Sequence, residues 1–184
     1  MRFLLIILLA VTFFSCGEDT VVKPSAKLRL DYPVQRYERI DSTCPFTFEK
    51  NEIALLEERP NCWINLHYPQ MDASLYITYQ RVGNNLDSLL YDAQKLTYDH
   101  TVKANSIIEQ PRVDSLKNVY GMFYALEGDA ATQAQFYVTD STRHFLTGSL
   151  YFNTKPNYDS LYPAIVYLQQ DIRKIMESIS WRNN

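Results

Sequence analysis

The chain has little of what marks most chemically committed proteins. It holds three histidines, and no two of them have the HxxxH spacing that puts imidazoles on one helical face. There is no CxxC, no GxGxxG, no Walker loop and no GxSxG elbow. Basic residues number 18 against 21 acidic, so no positive excess exists to attract nucleic acid or an anionic membrane surface. Glycine occurs only five times, which argues against a Gly-rich disordered arm. No repeat at a solenoid period is present.

What is present begins with the one long apolar run. Met1–Ser15 reads MRFLLIILLAVTFFS: one cation, then an apolar stretch too short to span a bilayer and matching a signal-peptide core. Ser15 precedes Cys16, the bacterial lipobox arrangement, although Phe13 stands where leucine is usual. Residues 1–15 are thus predicted to be a lipoprotein signal peptide and Cys16 the lipidated residue. Acyl chains contribute about 0.8 kcal/mol per buried CH₂, so several of them anchor a protein stably. Residues 16–27 form a lipidated tether. Its Gly17-Glu18-Asp19 reads either as a solvated linker or as the acidic surface-export signal of Bacteroidetes lipoproteins.

Residues 28–184 make one domain's worth of chain. With Cys16 taken by lipid, Cys44 and Cys62 remain. In an oxidising envelope they are expected to pair, the alternative being two buried free thiols.

Secondary structure follows from periodicity. Leu28–Ile40, interrupted by Pro33, reads as an edge or extended segment. Cys44–Glu49 reads as a short strand and Asn51–Arg59 as a helical turn. Cys62–Tyr68 and Ala73–Arg81 alternate as a hairpin. From Asn84 or Asn85 the period becomes 3.6, with Leu86, Leu89, Leu90, Ala93, Leu96, His100, Ala104 and Ile107 on one face. That predicts a helix ending at Glu109-Gln110-Pro111. Val119–Leu126, Gln135–Thr139 and Phe145–Phe152 are rich in aromatic and β-branched residues and read as the central strands. A final helix capped by Asp159 or Ser160 places Pro163 in its first turn and carries a stripe from Leu161 to Ile179. The fold class is α+β: a mainly antiparallel sheet of about six strands with two main helices packed on it, in βββα-βββα order. That order is similar to the PsbP/Mog1-like fold.

Candidate chemistry is thin. His100 lies on the apolar seam of its helix, which suits a hydrogen-bonded core histidine. His67 lies near a strand end. Thr139–His144 places Asp140, Ser141 and His144 close together, but Asp, Ser and Thr in a hairpin turn usually bond their own backbone. His100, Asp140 and His144 are the candidate partner or ligand face. No catalytic residue, metal or cofactor is expected. Fourteen tyrosines exceed what one core easily absorbs and point to a partner-binding face.

The segments CPFTFE (44–49), CWINLHYP (62–69), HTVKA (100–104), VYGMFYALEGDAATQAQFYVTDSTRHFLTGSLYF (119–152) and PNYDSLYPA (156–164) resemble the gliding-motility lipoprotein GldD family of Bacteroidetes. The resemblance implies an envelope lipoprotein required for gliding motility, a process coupled to type IX secretion, and no known enzymatic activity. Its implied partners are other gliding or type IX envelope proteins, with the membrane held through the lipid and the outer membrane favoured. The alternative is an envelope enzyme or small-ligand binder with a pocket around His100, Asp140 and His144. The lipid assignment is testable: Cys16→Ala should abolish incorporation of alkyne-palmitate and release the protein from the membrane fraction.

Overall fold

The alternation in CWINLHY and ASLYITYQR belongs to the interior of a large sheet. The computed structural model describes residues 32–99 and 103–182. The predicted signal segment, Cys16, the tether and His100 lie outside those residues. The strands are β1 (Tyr37–Ile40), β2 (Phe46–Asn51), β3 (Leu55–Arg59), β4 (Trp63–Tyr68), β5 (Ala73–Arg81), β6 (Ala104–Asp114), β7 (Val119–Gly128), β8 (Thr132–Thr139), β9 (His144–Phe152) and β10 (Ser180–Trp181). The helices are α1 (Leu86–Tyr98) and α2 (Tyr158–Ser178). Seven strands form one antiparallel sheet in the order β3-β4-β5-β9-β8-β7-β6. A smaller sheet has the order β1-β2-β10.

The α+β class with two helices and a mostly antiparallel sheet is therefore observed, with seven strands in the main sheet. Three local expectations are corrected. The helix predicted to run to Pro111 stops at Tyr98, and residues 104–114 are β6. Ala104 and Ile107 satisfy a 3.6 period by coincidence. The segment also holds Ile108 and Val113, and Pro111 lacks the N–H a helix interior needs but is tolerated in an edge strand. Asn51–Arg59 is not a helical turn: its last five residues are β3, paired with β4. The cap of α2 is Asn157, whose side chain accepts from the Ser160 N–H. Pro163 consequently lies beyond the first turn. The carbonyl it leaves unbonded belongs to the exposed Asp159, where water can serve it.

The two faces of the large sheet differ. On one, Ile64, Leu66, Leu75, Ile77, Phe123, Phe136, Val138, Leu146 and Leu150 are buried together with Leu168, Ile172 and Ile175 of α2. Each such side chain contributes about 1.5–3 kcal/mol when fully buried. Phe46 and Phe48 of β2 join the same core, so the small sheet, α2 and the large sheet share one interior. Gly148 lies opposite Phe136, and a Cβ at 148 would run into that ring. A disulfide joins Cys44 to Cys62 with Cα atoms 5.6 Å apart, tying the approach of β2 to the start of β4.

One charged side chain interrupts the stripe of α2. Asp171 is fully buried. Its Oδ1 accepts from Gln35 Nε2 (2.8 Å) and the Tyr37 hydroxyl (2.9 Å), and Oδ2 accepts from Asn51 Nδ2 (2.9 Å). Asn51 also donates to the Tyr167 hydroxyl. Burial raises the Asp171 carboxyl above its ordinary value, partly offset by these donors. With a folded pKa above the unfolded 3.8, the folded state holds the proton more tightly. Stability from this group therefore increases as pH falls from the raised value to 3.8 and is constant above and below. Asp171→Ala should lower the unfolding free energy by about 3 kcal/mol, because it leaves buried donors unpaired. In urea titrations the gap between wild type and variant should widen as pH falls through that window.

Candidate functional site

The turn between β8 and β9 gathers two of the three residues expected to form a site. Asp140 Oδ1 accepts from the backbone N–H groups of Thr142 (3.0 Å), Arg143 (2.7 Å) and His144 (2.8 Å), and Oδ2 from the Thr142 hydroxyl (3.1 Å). Ser141 is left-handed at φ +65°, which brings those donors round the carboxylate. Partial burial works to raise the Asp140 carboxyl, but the donors outweigh it and hold it below its ordinary value. A carboxylate so occupied builds a turn.

His144 does not use that carboxylate through its ring. The imidazole stacks on Trp181 with centroids 5.1 Å apart, and Nδ1 lies 2.9 Å from the Tyr79 hydroxyl. The side chain is buried, and burial holds its pKa below 6.5; the Arg143 and Arg81 cations act in the same direction, against Asp140. His144 is thus neutral at pH 7 and closes the seam between the two sheets, where Trp181 also donates to the Asn118 carbonyl (2.9 Å). An adjoining open depression is lined by Val82, Asn84, Leu86, Asp87, Ser141 and Thr142 and reaches neither Asp140 nor His144. Asp140 thus has its acceptors taken by its own turn and His144 is packed inside.

A second constellation lies on the other face of the large sheet. Ser74 Oγ is 2.9 Å from His67 Nδ1, and His67 Nε2 is 3.2 Å from Glu57 Oε2. Asn65 Nδ2 donates to the same Glu57 oxygen at 2.8 Å, and Arg59 pairs with Oε1 at 2.8 Å. The hydrogen bonds from Asn65 and His67 hold the Glu57 carboxyl below its ordinary value. Register places these groups together: Glu57 stands opposite Asn65, and His67 opposite Ser74. The order serine–histidine–carboxylate is that of a nucleophile and its base. Ser74, however, is 2% exposed, so its hydroxyl is not offered to a substrate. The string stiffens a surface.

That surface is aromatic. Leu55, Trp63 and Tyr76 on β3–β5 are 59%, 49% and 40% exposed. Tyr76 packs against Tyr151 of β9 at 5.9 Å. Helix α1 covers only the neighbouring part of the face, with Ala93, Leu96 and Thr97 above Gln135, Tyr137 and Thr147. Sequence reading noted His67 and the excess of tyrosine but missed Glu57, because β3 was not read as a strand. The usable signal was the hairpin register, which sets His67 beside Ser74.

Among the described residues no group of three or more His, Cys, Asp or Glu is placed to hold a metal ion. No helix among them is long and apolar enough to cross a membrane. These features define an α+β sandwich with one half-bare, polar-aromatic sheet face. The chain belongs to the gliding motility lipoprotein GldD family, whose model matches residues 17–181. It is accordingly a membrane-anchored envelope lipoprotein with a role in gliding motility. No curated protein matches the chain.

The turn role of Asp140 is testable. Its folded pKa lies below 3.8, so its contribution is present above that pH and lost as pH falls through the folded value. Asp140→Ala should cost about 2 kcal/mol at pH 7 in urea titration, and the gap from wild type should narrow in acid.

Proposed function

We propose that the protein is a non-enzymatic assembly component of the gliding apparatus, held in the outer membrane by its lipid and linked to type IX secretion. It presents the bare outer face of β3, β4, β5 and β9 to other envelope proteins of that machinery. The observation that carries this reading is the exposure of Leu55, Trp63 and Tyr76 on one face of three adjoining strands, spaced around the Glu57–Asn65 pair. Monomeric proteins seldom leave such residues together in water without use, and Trp and Tyr are the side chains that most often anchor interfaces. Glu57, Arg59, Asn65 and His67 lie between them as a polar network already hydrogen-bonded within the sheet. Polar groups already satisfied within the sheet set orientation and lose little on docking.

The alternative, an enzyme or small-ligand binder using His100, Asp140 and His144, has less support. Asp140 has its acceptors occupied and His144 is turned inward. The test is photo-crosslinking in gliding cells, with benzoylphenylalanine placed at position 63 or 76 and, as a control, at Leu116, which is 98% exposed on the β6–β7 hairpin. Positions 63 and 76 should capture gliding or type IX components that position 116 does not. Equal capture at 116, or none at 63 and 76 in a membrane-bound, folded protein, would refute the docking face.

A further inference from the structure

The turn between β3 and β4 has an unusual backbone. Pro60 opens it and the Trp63 N–H donates to the Pro60 carbonyl. Between them Asn61 and Cys62 are both left-handed, at φ +62° and +59°. Left-handed asparagine is ordinary, because its short amide can bond locally. Left-handed cysteine is not: its Cβ crowds the following carbonyl, and glycine is the residue that normally stands there. A conformation of this kind persists only where the surrounding structure imposes it. Here the imposition is covalent. Cys62 is bonded to Cys44, and Cys44 is buried in the core that the two sheets share.

The residue after the turn is Trp63. Side chains alternate along a strand, so Cys62 and Ile64 pack toward the core and Trp63 faces the other way, 49% exposed on the aromatic surface. Its backbone is thinly held. Pairing of β4 with β5 begins at Ile64, which leaves Trp63 opposite Arg59 of β3, and β3 is the edge of the sheet. The direction of the indole therefore depends on the turn more than on the sheet. We propose that Cys62 is a positioning residue for the docking surface: its bond to Cys44 locks the left-handed turn and so aims Trp63 at the partner. This inference rests on the docking reading given above.

The test is photo-crosslinking in gliding cells with benzoylphenylalanine at position 76, so that Trp63 is kept. The parent is the full chain with its disulfide. Adding Cys44→Ala and Cys62→Ala should lower capture at 76 by about fivefold or more, the population scale of a left-handed residue without support, and Trp63→Ala should lower it as well. Cys44→Ala with Cys62→Gly lacks the bond equally, but glycine takes the left-handed region freely, so capture should return to within about twofold of the parent. Lost stability from the missing bond is common to both double variants, and the difference between them reads the turn. Equal capture by the two in folded, membrane-bound protein, whether high or low, would overturn the proposal. Should neither double variant fold, the bonded chain decides. Asn61→Val, whose β-branched side chain opposes the left-handed turn, should lower capture, and Asn61→Gly should not. Unchanged capture with Asn61→Val would overturn the proposal. Absence of capture at 76 in the parent would instead remove the docking reading, and this inference with it.

Discussion

The buried carboxylate of Asp171 is the constraint around which the two sheets are arranged. An ion in an apolar core is tolerable only where donors converge on it. Here they come from Gln35 before β1, Tyr37 in β1 and Asn51 at the end of β2. Segments more than a hundred residues apart in sequence must therefore meet at one turn of α2. Sliding β2 by a residue along β1 would carry Asn51 away and strand the charge. The surrounding phenylalanines and isoleucines supply most of the burial energy, but they would accept several registers. The polar cluster accepts one.

Much of this architecture was legible in the residues. The β4–β5 hairpin followed from alternation and a short link. The strands of 119–152 followed from their aromatic and β-branched content, and α2 from its stripe. Asp140 was legible as a turn builder because Asp-Ser-Thr between strands bonds its own backbone. Other parts were hidden for identifiable reasons. β6 contains residues that satisfy both periods, and only pairing with β7 decides between them. β3 is short, and its LLEER sequence suits a helix as readily as an edge. Nothing in the sequence singles out Asp171 on α2, because it does not show that Asn51 and Tyr37 will face it. Losing β3 also lost Glu57, and with it the Glu57–His67–Ser74 string.

Function divides along the faces of the large sheet. One face is sealed by α2 and the small sheet, and its polar groups serve the fold. The other is half covered by α1, and its open half carries the exposed Trp63 and Tyr76. That open half is stiffened by cross-strand hydrogen bonds and is the surface on which the proposed docking rests. This agrees with a lipoprotein of the gliding motility family.

The Cys44–Cys62 bond has a consequence for when the molecule becomes itself. The bond spans the junction between the small and large sheets. Thiols stay reduced in the cytosol, and disulfides form in the envelope. Before export, the junction therefore lacks its covalent link, and the newly made chain is more easily kept open for passage through a translocation channel. After export, oxidation closes the junction. The bond acts as a record of compartment, so that the most robust form of the sandwich exists only once the chain has left the cytosol.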